Sequence, residues 1–427
     1  MSIIWLIIIL FVLIFLEVPV LIAMPLSSFL YIMLDGSIPF YLVAGRIASG
    51  LESFVLLAIP LFILAGNLLN TAGIAGRIFG FAQKTVGHID GGLGHVNVVS
   101  SIIFAGMSGV AQADAAGLGA IEIREMKKVG FTAEFSAAIT AASSIIGPII
   151  PPSCMMIVYA VLADVSVPEL FLAGIIPGLV MAFFLMFTIW VLAKTKLIVA
   201  PKEPKVPFKE VLISFKGAFF SLMAPIILLA GLFLGFATPT ELGAIVCVYA
   251  IILGICYREL TFKRFMRAVY NTVITCGILT SIMAMAVPFS GILAIKQVPA
   301  MLAEALMIFG DQTWIVLIIM NVILLVLGCI MESTAILLVS VPVLVPLMGT
   351  LGVSPVHLGI IMVINLLLGT ITPPFGVLLF VMMDVAKVKL KPLLKALLPF
   401  YIPLIIFLIL ITYVPQISMG LPNYLFR

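Results

Sequence analysis

The chain has 427 residues, of which 64% are hydrophobic and only 9% are charged, and its mean hydropathy is +1.36. Soluble domains carry about 25% charged residues, so this composition excludes a soluble globular protein and indicates a multi-pass membrane protein. The net charge of +4 says little about binding partners, because in a membrane protein the distribution of Lys and Arg matters more than their sum. Nothing in the sequence supports nucleic-acid binding.

Hydropathy predicts about ten full spans, since a helix that crosses a membrane needs roughly 20 apolar residues. The N-terminal stretch, "MSIIWLIIILFVLIFLEVPVLIAM", has no basic region and no clear small-residue cleavage site. We therefore expect a retained first span rather than a cleaved signal peptide. The cysteines stand singly in or beside apolar stretches without the spacing of a metal or redox site, and we expect them to be packing residues.

The distribution of Lys and Arg predicts which loops face the cytoplasm. The loop 194–216 holds six lysines and is predicted to be cytoplasmic. Three shorter loops are also basic and follow the same rule: 122–130, 258–267 and 387–395. Three connections contain no Lys or Arg and are predicted to face the outside: 162–169, 237–241 and 349–357.

The stretch 97–121 has a small and polar middle, "GMSGVAQADAAG", which contains the ionisable Asp114. A charge at the centre of a bilayer is expensive, and non-helical backbone at that depth is tolerated only where protein buries it. We therefore predict a re-entrant hairpin over 97–121, called hairpin 1, which enters and leaves on the cytoplasmic side. The next stretch, 131–161, is long enough to cross outward, and "GPIIPPS" at its middle predicts a broken helix.

A second polar hairpin is predicted over 324–348 and is called hairpin 2; its middle carries Glu332, Ser333 and Thr334. The connection 349–357, which is predicted to face the outside, follows it. The stretch 358–383 then runs inward through "GTITPPFG", which predicts a second broken helix.

Hairpin, loop and broken helix thus occur twice, with the loop inside the first time and outside the second. The spacing is similar, because Asp114 precedes Pro151 by 37 residues and Glu332 precedes Pro373 by 41. This pattern predicts an all-α membrane protein built from inverted-topology repeats.

Each predicted break frees a backbone carbonyl. A proline has no N–H, so the carbonyl four residues earlier loses its helical partner: Pro151 frees Gly147, and Pro373 frees Gly369. Exposed carbonyls and half-helix C-termini near the bilayer midplane bind Na⁺ or other hard cations, and half-helix N-termini attract anionic groups. Two such breaks, each paired with a polar hairpin, favour a transport site over simple proline kinks.

Five blocks of the sequence together resemble the large membrane subunit (M subunit) of TRAP transporters, the tripartite ATP-independent periplasmic systems. They are "AIPLFILAGNLLNTAGIAGRI" (58–78), "FAGMSGVAQADAAGLGAIEIREMKK" (104–128), "GPIIPPS" (147–153), "GFATPTELGAI" (235–245) and "GTITPPFG" (369–376). The resemblance covers essentially the whole chain. It implies an elevator-type fold similar to the ion transporter superfamily, in which a transport domain slides against a scaffold domain. It also implies a four-helix small membrane subunit (Q), a periplasmic substrate-binding protein (P) and a Na⁺ gradient as the energy source.

The resemblance further implies at least two Na⁺ sites, with backbone carbonyls and side-chain oxygens as ligands. The first would use Ser108 and Asp114 of hairpin 1 with Gly147 and Pro151 of the first break. The second would use Glu332, Ser333 and Thr334 of hairpin 2 with Gly369, Thr372 and Pro373 of the second break. Whether Asp114 and Glu332 bind the cations directly or hold the hairpin tips is left open. The substrate would lie between the sites and contact Ser108, Ser153, Thr334 and Thr372.

The predicted function is Na⁺-coupled symport of an organic acid anion across the bacterial inner membrane, with sialic acid favoured over C4-dicarboxylates. The alternative is a binding-protein-independent Na⁺/carboxylate symporter. The sequence has no P-loop and no histidine in a catalytic motif, so neither ATP hydrolysis nor another enzymatic activity is expected.

The sequence predicts five regions. They are N-terminal scaffold helices (1–53), a first repeat (54–193), a cytoplasmic linker (194–217), further scaffold helices (218–287) and a second repeat (288–427).

Overall fold

A computed structural model of the chain describes residues 3–16, 18–36, 54–198, 203–298 and 312–426, and positions 39, 45, 201, 300–301 and 304. The regular secondary structure of these residues consists of α-helices and one short 3₁₀ helix, as the all-α prediction requires. The predicted regions 1–53 and 288–427 each include residues outside this described part.

The described part of the N-terminal half contains ten α-helices. They are α1 (Ile4–Phe15), α2 (Val20–Asp35), α3 (Ala58–Thr71), α4 (Ile74–Val86), α5 (Leu93–Ser108), α6 (Ala111–Ala116), α7 (Leu118–Lys128), α8 (Ala133–Ser144), α9 (Cys154–Ala163) and α10 (Val167–Lys194).

The helices of the C-terminal half are on average longer. They are α11 (Phe208–Phe233), α12 (Pro239–Cys256), α13 (Phe262–Ile295), α14 (Thr313–Ile330), α15 (Ser333–Thr350), α16 (Pro355–Thr370), α17 (Val377–Ala386), α18 (Leu390–Tyr413) and α19 (Pro415–Phe426).

Seven of the described helices are long and apolar enough to cross a membrane, and the pair α3 and α4, bent by 69°, could make an eighth. About ten full spans were predicted from hydropathy. The difference arises partly because both broken segments are divided into helices of only 10 to 16 residues. An apolar stretch gives the same hydropathy whether or not its helix is interrupted.

Both predicted broken helices are confirmed. The first is interrupted between Ser144 and Cys154, and the second between Thr370 and Val377. In the first broken helix, a hydroxyl side chain caps the N-terminus of each half. Thr132 Oγ1 accepts a hydrogen bond from Phe135 N at 3.2 Å at the start of α8, and Ser153 Oγ accepts one from Met156 N at 3.3 Å at the start of α9. Such caps satisfy backbone N–H groups that a helix start leaves without an intrahelical partner.

Both predicted hairpins exist as helix–turn–helix segments, but they are longer than expected. Hairpin 1 comprises α5, α6 and α7, and hairpin 2 comprises α14 and α15, so its first arm begins at Thr313 rather than near 324. The polar residues used for the prediction lie at the tip of each hairpin. The arms of hairpin 2 are apolar and carried no signal for where they begin.

The two repeats pack into each other. The tip helix α6 of hairpin 1 packs against α17, the second half of the second broken helix, and α9, the second half of the first broken helix, packs against hairpin 2 helix α15. Separately, α3 packs against α12 and α13. This exchange of partners brings residues that are over 200 positions apart in the chain to one region.

Candidate functional site

The tip of hairpin 1 lies directly against the first break. A side-chain carbon added at Gly109 would overlap the carbonyl oxygen of Pro152 and lie 3.3 Å from Ser153 Cα. The predicted pairing of hairpin 1 with the 147–153 segment is therefore present as a backbone contact. The Pro151–Pro152 peptide bond in this segment is cis, as is Pro373–Pro374 in the second break.

Asp114 and Gly147, two residues of the first predicted cation site, are neighbours. Asp114 is only 1% exposed, and a Cβ added at Gly147 would overlap its Oδ2 atom and lie 3.2 Å from the carbonyl oxygen of Ser144. Any residue larger than glycine at position 147 would displace this carboxylate. The geometry thus places a carboxylate and a non-helical backbone together, as a hard-cation site requires.

The other residues assigned to this region have different surroundings. Ser153 is fully buried and caps α9, and Pro151 is buried. The side chain of Ser108, at the end of α5, lies outside the described part of the chain.

The tip of hairpin 2 is held by Glu332. Its Oε2 accepts a hydrogen bond from Ala335 N at 3.0 Å, and its Oε1 accepts from Thr334 Oγ1 at 2.9 Å. Glu332 is therefore the N-cap residue of α15. Of the two roles considered for this carboxylate, the contacts are those of a residue that holds the tip of the hairpin. Ser333 Oγ donates to Leu366 O at 3.4 Å and connects the tip to α16.

The second break touches hairpin 2 through glycine. A Cβ added at Gly369 would lie 2.6 Å from both Cα and C of Gly328 in α14, so only glycine fits this backbone crossing. Beside it, Phe375 N donates to Cys329 O at 3.1 Å.

The carbonyl of Gly369 is not left fully exposed by Pro373. It accepts from Thr372 N at 3.0 Å, while Thr372 Oγ1 donates to Leu368 O at 2.7 Å. A carbonyl oxygen has two lone pairs, so one remains available to a cation. A local turn therefore partly replaces the helical hydrogen bond that proline removes.

The two hairpin tips meet at a cavity of about 520 Å³. Its wall includes residues 109–113 of hairpin 1, residues 332–334 of hairpin 2, and parts of α3, α9, α13 and α16. Of the four predicted substrate contacts, Thr334 lines this cavity. Ser153 and Thr372 do not line it, although Cys154 and Thr370 beside them do.

Several polar residues of this wall were missed by the sequence reasoning: Asn67, Asn70, Gln112, Asn271, Thr275 and Thr370. A signal existed for the helical ones, because Asn67 and Asn70 stand three apart in an apolar helix, and Asn271 and Thr275 stand four apart. Such spacing places both members on one helix face. Among the described residues that line the cavity, none is Lys, Arg or His.

Comparisons with known proteins agree with this architecture. The family model described as "Tripartite ATP-independent periplasmic transporter, DctM component" matches residues 7–417. The chain is 39% identical over 412 residues to the sialic acid TRAP transporter large permease protein SiaM of Vibrio cholerae, covering 96% of each chain. It is 38% identical over 375 residues to the C4-dicarboxylate TRAP transporter large permease protein DctM of Pseudomonas aeruginosa, covering 88% of this chain and 87% of that protein.

Two solved structures share the fold at low sequence identity. The YdaH transporter of Alcanivorax borkumensis has a TM-score of 0.61 at 16% identity, covering 89% of this chain and 88% of that one. Neisseria gonorrhoeae MtrF has a TM-score of 0.56 at 12% identity, covering 87% and 84%. Both likenesses concern the fold alone.

Proposed function

We propose, since this chain belongs to the family of DctM components of tripartite ATP-independent periplasmic transporters, that it carries an organic acid anion inward together with Na⁺. Large permeases of this family are multi-pass proteins of the inner membrane and are transporters rather than enzymes. We take sialic acid as the first candidate substrate and C4-dicarboxylates as the second, because both appear among the relatives.

The observation that carries this proposal is the cavity in which the two hairpin tips meet. Its described wall offers amide and hydroxyl groups and the Glu332 carboxyl group but no basic side chain, so protein charge there does not balance an organic anion. Transferring an uncompensated charge into such a site is costly. Cations bound at the two breaks would supply the missing positive charge, which couples anion binding to Na⁺.

We assign the first cation to the region of Asp114 and Gly147, and the second to the region of hairpin 2 and Gly369. Ser108, Pro151, Ser333, Thr334, Thr372 and Pro373 complete the two proposed ligand sets, and Glu332 holds the tip of hairpin 2 beside the second one. The carboxylate of the substrate would bind neutral donors of the wall, with Gln112 on the tip of hairpin 1; Thr334 on the tip of hairpin 2 would donate to it once its hydroxyl turns away from Glu332. Because binding free energies are reciprocal, Na⁺ raises substrate affinity by the factor by which substrate raises Na⁺ affinity.

We propose an elevator movement in which the hairpins and broken helices translate together. The interlocked packing of α6 with α17 and of α9 with α15 supports a single moving body. The remaining helices would form the scaffold, which would also contact the small membrane subunit. A periplasmic binding protein would deliver the anion from outside.

The test is uptake of labelled sialic acid into proteoliposomes that contain this chain and its small membrane subunit. We expect uptake only when both the binding protein and an inward Na⁺ gradient are present. Uptake that does not need the binding protein would favour the alternative, a binding-protein-independent Na⁺/carboxylate symporter. Absence of sialic acid uptake combined with Na⁺-driven succinate uptake would assign the C4-dicarboxylate class.

A further inference from the structure

A second group of buried polar side chains lies beneath hairpin 1, outside the cavity. Glu122 of α7 is 1% exposed, and its Oε2 accepts from Asn97 Nδ2 at 2.7 Å. The same Asn97 nitrogen lies 2.8 Å from Thr140 Oγ1, and Asn97 Oδ1 accepts from Ser143 Oγ at 2.6 Å. The group therefore joins both arms of the hairpin to α8.

Two polar atoms of this region have no hydrogen-bond partner within the described structure: Glu122 Oε1 and Ser100 Oγ. Both residues are buried, and Ser100 stands three residues after Asn97, on the same face of α5. None of the ion pairs seen among the described residues involves Glu122. The charged side chain that interacts electrostatically with Glu122 is Asp114, and two carboxylates repel each other when both are ionised.

An ionised carboxylate in this position is unfavourable unless a cation accompanies it. Burial of an isolated carboxylate carries a large desolvation cost even after the protein relaxes around it. An oxygen left without a donor adds to that cost. Glu122 therefore needs one positive charge that the described side chains do not supply.

The second repeat shows that an arm can be held without a carboxylate. There, Asn365 Nδ2 donates to Asn321 Oδ1 at 2.8 Å, and Asn321 Nδ2 donates to Thr412 Oγ1 at 2.9 Å. Ser143 stands eight residues before Pro151, and Asn365 stands eight residues before Pro373. The two networks lie at equivalent positions of the two repeats, but of the two only the first includes a carboxylic acid, Glu122.

We propose that Glu122 binds one monovalent cation, H⁺ or Na⁺, which is transported with the substrate in addition to the two cations at the breaks. The site comprises the carboxylate of Glu122, the hydroxyl of Thr140, which contacts the same Asn97 nitrogen, and the hydroxyl of Ser100 on the Asn97 face of α5. It moves with hairpin 1, because Asn97 and Ser143 connect it to the first broken helix. This inference rests on the proposed function, since it counts the ions of that symport.

The experiment measures how many cations accompany each substrate in proteoliposomes with the small membrane subunit and the binding protein. Reversal potentials at set Na⁺ gradients give the Na⁺ count, and a pH dye inside the vesicles reports protons. Wild type and E122Q are compared, since glutamine keeps the shape and an acceptor for Asn97. The control is E125Q, three residues away, where the carboxylate is partly exposed and paired with Lys128 at 2.8 Å.

We expect a total of at least three cations per substrate in wild type and in E125Q, and one fewer in E122Q. If the ion is Na⁺, the Na⁺ count falls by one. If it is H⁺, the Na⁺ count is unchanged and the substrate-driven acidification is lost.

An unchanged ion count in a folded, active E122Q would overturn the inference. If E122Q does not assemble, a wild-type total of two cations would overturn it equally. Absence of Na⁺-driven uptake in wild type would instead refute the proposed function itself.

Discussion

Gly147 and Gly369 show how single residues position the breaks. Each glycine permits a contact that a Cβ would prevent, with the Asp114 carboxylate in the first repeat and with the Gly328 backbone in the second. The freed carbonyls were predicted from proline chemistry, whereas these contacts were not. A one-dimensional pattern indicates which carbonyl loses its partner but not which group faces it.

G147A is expected to impair Na⁺ coupling. Overpacking of this kind costs about 1–3 kcal/mol, so the Na⁺ concentration for half-maximal uptake should rise at least about five-fold. G277A is the matched control, because Gly277 lies in α13 with no atom within 4 Å of an added Cβ. Na⁺-dependent uptake measures both, and an unchanged Na⁺ requirement in G147A and in G369A would refute both cation assignments.

Q112A is expected to weaken substrate binding without destabilising the protein. Gln112 lines the cavity at the tip of hairpin 1, and loss of one hydrogen bond to a charged ligand costs about 1.5–3 kcal/mol. The substrate concentration for half-maximal uptake should therefore rise at least about ten-fold. The thermal unfolding midpoint of the purified complex serves as the control. Normal substrate affinity would remove Gln112 from the proposed site.

At the scale of elements, asparagines tie each hairpin to its broken helix. Asn97 contacts Ser143 in the first repeat, and Asn321 contacts Asn365 in the second. The first bond is buried and the second is partly buried, and both hold helix pairs that have no covalent link nearby. Hydropathy predicted the helices and the prolines predicted their breaks, but neither could identify these pairs.

N365L is expected to lower the thermal unfolding midpoint of the purified complex. Asn365 is fully buried, and its loss leaves the polar side chain of Asn321 without one partner, at about 1–3 kcal/mol. N423L, on an exposed position of α19, should leave the midpoint unchanged. If both variants unfold at the wild-type temperature, the asparagine contact does not stabilise the hairpin.

At the scale of the whole molecule, the predicted orientation follows from charge alone. The linker 194–217 carries six lysines, three of them between α10 and α11, whereas the connection between α15 and α16 has no Lys or Arg. Exposed Lys and Arg favour the cytoplasmic side of a membrane.

This orientation is tested by labelling single cysteines in a variant without the five native ones. In intact cells, a membrane-impermeant maleimide should label V353C and not K205C. In inside-out vesicles the result should reverse, since the two loops face opposite sides. Labelling of K205C in intact cells would contradict the assignment.

The sequence by itself determined the class, the two polar hairpins and the two breaks, and it predicts their inverted order. These are local features, because apolar length, proline chemistry and the distribution of charge act within about 20 residues. The tertiary structure decided which groups meet: Asp114 with Gly147, Gly369 with Gly328, and the two tips at one cavity whose described wall has no basic side chain. It also brought Asn67, Asn271 and Thr334 to that cavity. Such meetings depend on the packing of helices far apart in the chain, which periodicity along a single helix does not specify.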